Sequence, residues 1–231
     1  MTASSRENIL GKLRAARRPF PDAPPRPLSY LTVTVQQDET PEALLARFRT
    51  EITSLKGESF VVEGDEAARD QVMALLEAHQ TRRIVAWDFA HIPVAGLEAA
   101  IKAADIEIIQ PETHDEFRAE TLAAAEGAQV GLTGADAATA TTGTLCFTTG
   151  PGRGRISTIL PPVHIAVIRQ SQIVPHLEAW VAGLRTDGLD AIRQRANFCF
   201  ITGPSRTGDI EMELILGVHG PGQVQVIIKR D

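Results

Sequence analysis

The chain has 231 residues, 43% hydrophobic and 23% charged, with a formal net charge of −6. That length suffices to bury roughly 70% of the unfolded surface in one α/β unit without a disulfide or metal staple, and the acidic balance excludes a general nucleic-acid binder, which needs a basic face. The two cysteines, Cys146 and Cys199, fall inside apolar runs and read as small buried residues of a reducing compartment. Two thiols are too few for a self-contained iron–sulfur cluster, and none of the six histidines stands at zinc spacing from another His or Cys. No apolar stretch approaches membrane-spanning length and the start lacks a secretory h-region, so a cytoplasmic location with no metal held by this chain is expected.

In chain order, residues 4–17 read as an amphipathic helix, with Ser4 and Glu7 spaced as a capping box and Ile9, Leu10, Leu13 and Ala16 on one face. The first eighteen residues carry five basic side chains and one acidic one, which suits a docking helix. Five prolines in residues 19–27 make an extended strap. Residues 1–39 are therefore separated as an arm from a body at 40–231. Thr40-Pro41 is a good N-cap and N1 pair for a helix striped by Leu44, Phe48, Ile52 and Leu55 and ended by Gly57. Strands at 59–62, 83–87, 106–109 and 130–133 alternate with helices at 65–79, 94–103 and 114–125. Regular alternation predicts a mainly parallel sheet with helices on both faces, a single three-layer α/β domain. The small-residue stretch 134–140 reads as a short helix, 141–147 as a turn into a strand, 150–155 as a flexible basic loop and 164–168 as a strand. Helices are expected at 175–184 and 187–195. Phe198-Cys199-Phe200-Ile201 reads as a strand buried on both faces, 209–216 fits a helix or a strand, and 224–228 is a further strand.

A buried strand ending in Gly203-Pro204-Ser205-Arg206-Thr207-Gly208 places hydroxyls and a planar guanidinium at one end of a sheet, where ligands of open α/β sheets usually sit. Glycines let backbone N–H groups converge and Arg206 offers a fork, so this chemistry suits a small anion. A plainer role is also open, with Ser205 or Thr207 capping a helix while Arg206 pairs with a neighbouring acid. Thr142, Gly143 and Thr144 add hydroxyls at another strand end, and His219-Gly220 forms a tight turn. Secondary candidates are Arg153 and Arg155, either clamping a carboxylate or phosphate or solvated in their loop. Asp209 and Glu211 share a side only if their segment is extended. The 150–155 loop lacks the Gly-Lys-Ser/Thr of a phosphate loop and is no dinucleotide fingerprint.

Together, Gly131-Leu132-Thr133-Gly134-Ala135-Asp136, Thr142-Gly143-Thr144-Leu145, Leu160-Pro161-Pro162-Val163-His164-Ile165, Gly203-Pro204-Ser205-Arg206-Thr207-Gly208-Asp209-Ile210-Glu211 and Gly217-Val218-His219-Gly220-Pro221 resemble the LUD-domain family, in its LutC/YkgG-like branch. The resemblance runs over about residues 40–230, with the last two blocks the most specific. It implies a fold similar to the NagB/RpiA/CoA-transferase group and a part in oxidising L-lactate to pyruvate alongside a cysteine-rich LutA-like and an iron–sulfur LutB-like protein. The iron–sulfur clusters are then expected in those partners and no cofactor on this chain, in keeping with its two cysteines. Thr141 departs from the acidic residue that many relatives carry before Thr-Gly-Thr, and the resemblance assigns no catalytic residue. Two other roles remain open: a stand-alone enzyme of acyl-CoA or nucleotide-linked chemistry, and a non-catalytic adaptor or regulatory protein.

Overall fold

The computed structural model describes residues 5–16, 38–110, 118–186, 193–208 and 214–230. The proline strap, most of the segment 187–195, and Asp209 and Glu211 lie outside them. The chain divides into two compact units, residues 1–35 and 36–231. In the first, α1 (Ser5–Ala15) buries none of its residues, and Ile9 and Leu13 of the expected stripe are exposed.

The second unit opens with α2 (Pro41–Ser54). Thr40 caps it by accepting from the Ala43 N–H, Pro41 holds the first helical position, and Leu44, Leu45, Phe48 and Ile52 are buried. Full burial of side chains such as Phe48 and Ile52 stabilises the fold by roughly 1.5–3 kcal/mol each, more than the cap contributes. Then follow β1 (Glu58–Glu63), α3 (Gly64–Ala78), β2 (Arg83–Ala86), α4 (Leu97–Ala103), β3 (Glu107–Ile109), α5 (Arg118–Glu126) and β4 (Val130–Thr133). β5 (Ala137–Thr139), β6 (Thr144–Thr149), the short α6 (Ile156–Ile159), β7 (Val163–Arg169), β8 (Ile173–Val174) and α7 (Leu177–Thr186) come next. β9 (Asn197–Ile201), β10 (Arg206–Gly208), β11 (Leu214–Leu216) and β12 (Gln223–Arg230) complete the described elements.

Six strands form a parallel sheet in the order β1-β12-β7-β4-β2-β3. β7 and β12 are buried along almost their whole length, and the polar residues that interrupt their apolar sequence, His164, Gln225 and Lys229, are each hydrogen-bonded. Paired residues of adjacent strands share a face. Val85, Gly131 and His164 are linked in this way, and Val85 packs with Ala125 of α5 and Ile156 of α6. A Cβ on Gly131 would lie 1.8 Å from the Ser157 carbonyl oxygen, so only glycine lets α6 settle on β4. The opposite face carries α3, whose N- and C-terminal ends are tied to β12 by Lys229–Asp65 at 2.7 Å and His79–Gln225 at 2.9 Å.

A second sheet, β8-β5-β6-β9, puts Ala138, Leu145 and Phe147 into the main core and packs its other face, Ala137, Cys146 and Phe198, on Trp180 of α7. This corrects two expectations. Residues 137–139 are a strand and not a helix, because their small side chains fit between β6 and β8. β9 is an edge strand and only half buried, with Phe200 46% exposed against the Trp180 ring. The register pairs Cys146 with Phe200 and Cys199 with Phe147, so the two thiols point to opposite faces. The ambiguous 209–216 segment ends in strand β11, which pairs with β10 as a separate two-stranded ribbon. Its Leu214, Ile215 and Leu216 are exposed.

Candidate functional site

The carboxyl ends of β2, β4 and β7 deliver Trp87, Asp136 and Arg169 into one cleft of about 240 Å³, completed by Ala90, His91, Pro93, Ala135, Arg153 and Gln172. Local sequence explains how Arg153 reaches it. Gly150-Pro151-Gly152-Arg153 is a tight turn, with Gly152 at φ +67° and the Arg153 N–H donating to the Gly150 carbonyl at 3.0 Å. Proline second and a left-handed glycine third are what such a turn requires. The Asp88 N–H donates to the Gly152 carbonyl at 2.8 Å and the Trp87 indole N–H to the Gly154 carbonyl at 3.0 Å, clamping the turn to the end of β2.

Arg153 is only 8% exposed. Its guanidinium donates to Asp136 Oδ1 at 2.8 Å and lies 5.9 Å from the centre of the Trp87 ring. Asp136 Oδ2 accepts from the Thr148 hydroxyl at 2.7 Å and from the Thr148 N–H. Asp136 is thereby occupied as an orienting carboxylate, whereas one bond to Asp136 leaves Arg153 with donors in a five-donor fork. Gln172 is fixed as well, donating to the Ala135 carbonyl and accepting from the Arg169 N–H. Exposed Arg169 and His91 stand at the mouth. The expectation of a solvated basic loop therefore fails for Arg153, which is buried and paired; Arg155 is exposed and does not line the cleft.

The other expected residues meet at the opposite, amino end of the sheet. Thr142 bonds Thr139 at 2.6 Å and Thr144 at 2.8 Å, and Thr144 bonds Thr202 at 2.9 Å, all through hydroxyls. The Ser205 N–H donates to the Pro221 carbonyl at 2.8 Å and the Gly217 N–H to the Ser205 carbonyl at 2.9 Å. The two motif loops are thus laced together, with Gly220 beside Ser205. Gly143 and Gly203, at φ +59° and +75°, are glycines for a packing reason. Added Cβ atoms would come within 2.8 Å of the Ile52 nitrogen and of Leu55 Cβ, at the end of α2. Arg206 and His219 are exposed and Thr207 half-buried; the Arg206 guanidinium reaches the Thr202 carbonyl at 3.5 Å.

Sequence reasoning missed Trp87, His91, Asp136, Arg169 and Gln172 as cleft residues. The available signal was positional: Trp87, Asp136 and Arg169 each stand at or just beyond the carboxyl end of a strand, where ligands of parallel sheets collect. Elsewhere, a recess of about 540 Å³ between the end of α3 and β3 is lined by Met73, Leu76, Thr81 and neighbours and includes none of the expected site residues. Burial pushes the Cys146 thiol up to about 12, reinforced by Asp136, and also raises Cys199. No group of three or more His, Cys, Asp or Glu side chains suited to a metal ion occurs among the described residues.

Fold and cleft together define an α/β protein with a buried, oriented guanidinium at the carboxyl end of a parallel sheet. The LUD domain model matches residues 45–228, and the chain belongs to that family. It is 33% identical over 167 residues to "Lactate utilization protein C" of Halalkalibacterium halodurans, covering 72% of this chain and 69% of the relative. It is 34% identical over 191 residues to the protein of the same name from an Exiguobacterium species, covering 82% and 79%. A crystal structure of a DUF162 family protein from Deinococcus radiodurans superposes with a TM-score of 0.56 at 22% identity, over 82% of this chain and 98% of that one, a likeness of fold.

Proposed function

We propose that this protein serves lactate utilisation by binding a short carboxylate in the cleft at the carboxyl end of the sheet, as one component of a system that oxidises L-lactate to pyruvate. The relatives named for lactate utilisation support the pathway, and the Arg153 guanidinium, buried and oriented by Asp136 and Trp87, carries the assignment of the ligand. A guanidinium held in this way presents parallel N–H donors to a carboxylate at little further cost in side-chain entropy. Arg169 adds a second positive charge at the rim.

The space of about 240 Å³ falls below the range typical of sites for larger cofactors and drug-sized ligands, which favours a short acid over an acyl-CoA or a nucleotide. The redox centres are assigned to companion chains, cysteine-rich and iron–sulfur proteins. In support, the two thiols here face opposite sides of a sheet and cannot ligate one cluster. Titration calorimetry with L-lactate, pyruvate and acetate tests the assignment. Arg153→Lys should weaken binding about tenfold by removing the fork, and Arg169→Gln should weaken it less. Unchanged affinity in both variants would refute the cleft as the carboxylate site.

A further inference from the structure

Two neighbouring helices, α3 and α4, end in the same way. At the end of α3, Gln80 takes φ +50°, its N–H donates to the Glu77 carbonyl at 2.8 Å and the Thr81 N–H to the Leu76 carbonyl at 2.9 Å. At the end of α4, Asp105 takes φ +57°, its N–H donates to the Lys102 carbonyl at 3.1 Å and the Ile106 N–H to the Ile101 carbonyl at 3.3 Å. This left-handed closure ordinarily folds an apolar residue back onto the helix, at the position that Ile106 fills after α4. After α3 that position is Thr81, which is 8% exposed, and its hydroxyl has no hydrogen-bond partner among the described residues. A buried hydroxyl without a partner costs stability, and an apolar side chain of the same shape would avoid that cost. Packing alone therefore gives no reason for a threonine here.

Thr81 and Ile106 both line the recess of about 540 Å³ beside edge strand β3, where Met73 and Leu76 add further apolar wall. That volume lies within the range of small-molecule sites, whose usual make-up is an apolar wall with a few placed polar groups. Glu77 and Arg82 line the recess with opposite charges. The carboxyl end of the 15-residue α3 adds partial negative charge, so the site as a whole does not favour a carboxylate. We propose that this recess is a second ligand site, taking a small uncharged molecule with a compact apolar body and one O–H or N–H group that bonds the Thr81 hydroxyl. The apolar wall supplies most of the affinity, and Thr81 selects among molecules of equal size. The site is separate from the carboxylate cleft and does not depend on it.

The test titrates the full chain with phenol and, separately, with toluene, which has the apolar ring but no hydroxyl, following the amide chemical shifts of Gln80, Thr81 and Ile106. Phenol should move these shifts and bind more tightly than toluene. Thr81→Val should weaken phenol about fivefold, the scale of one neutral hydrogen bond, and leave toluene unchanged. The same variant should leave the melting temperature unchanged or raise it, because it removes a buried hydroxyl that bonds nothing in the free protein. A melting temperature lowered by several degrees would show that the hydroxyl serves the fold and would overturn its assignment to a ligand. Ala104→Phe, at an exposed position on the wall, should block both probes. Arg153→Lys should leave the phenol response intact, whether or not the cleft binds a carboxylate. No response to either probe, equal phenol affinity in the wild type and Thr81→Val, or a response that survives Ala104→Phe would each overturn the site. Shifts of the same amides with L-lactate would overturn the class of ligand.

Discussion

The two ends of the parallel sheet are built by different rules. At the carboxyl end, side chains from three separate strand ends surround an open cleft, and one ion pair, Asp136–Arg153, fixes its interior. At the amino end, contiguous motifs pack so closely that glycines are required where α2 abuts them, and threonine hydroxyls satisfy one another. Contiguous motifs mark the closed end, whereas the room for a ligand is lined by residues drawn from several separate segments. A motif of glycines and hydroxyls thus reports tight packing as readily as it reports binding.

The sharpest way to break this contrast is Asp136→Ala. Removing one partner of a largely buried pair leaves Arg153 uncompensated, so the 36–231 unit should lose about 4 kcal/mol in urea unfolding. A loss below about 1 kcal/mol would mean that the pair does not organise the carboxyl end.

Next in size is a pH effect in the core between the two ends. His164 is fully buried, its Nε2 meets the Thr133 hydroxyl at 2.9 Å, and burial holds its pKa near 4 against 6.5 ordinarily. As pH falls, the unfolded chain takes up the proton first. This contribution to stability is full above pH 6.5 and is lost progressively down to pH 4, amounting to about 3 kcal/mol. His164→Gln should flatten the corresponding part of the stability–pH curve, and an unaltered curve would place the titration elsewhere.

At the amino end, Gly203→Ala forces a side chain into the left-handed region and against Leu55, which should cost about 2 kcal/mol and lower the melting temperature. Gly208→Ala, in β10, is the control, with no atom of the described residues within 4 Å of the added Cβ, and should stay within about 0.5 kcal/mol. Equal effects at the two glycines would show that the amino end is not closed by packing.

Much of the fold was legible because helices and strands from α2 to β4 alternate with clean periodicity, and Thr40-Pro41 and Gly57 punctuate the first helix. The stretch 134–140 misled because alanine favours helices, while the space between β6 and β8 admits only a strand of small residues; tertiary packing overrode propensity. β9 misled because a continuous apolar run does not distinguish a central strand from an edge strand covered by one helix. The cleft was hidden for a different reason. Trp87, Asp136 and Arg169 are far apart in sequence and meet only through the strand order β2-β4-β7, which no local pattern encodes. Arg153 was visible as a candidate, but the carboxylate that buries it was not.

The position of β1 has a consequence for how the protein is made. Among the described residues its one partner in the sheet is β12, and residues in contact across that pair, such as Glu58 and Gln225, stand 167 positions apart. At the usual 5–20 residues per second of synthesis, β1 emerges on the order of 10 to 30 seconds before the strand that must lie beside it. During that interval α2 and α3 can form locally, but the edge of β1 and the apolar residues of β7 have no strand between them. The growing chain therefore carries an open seam one strand in from the edge of its future sheet, and that interval is when holding chaperones would find the most surface to bind.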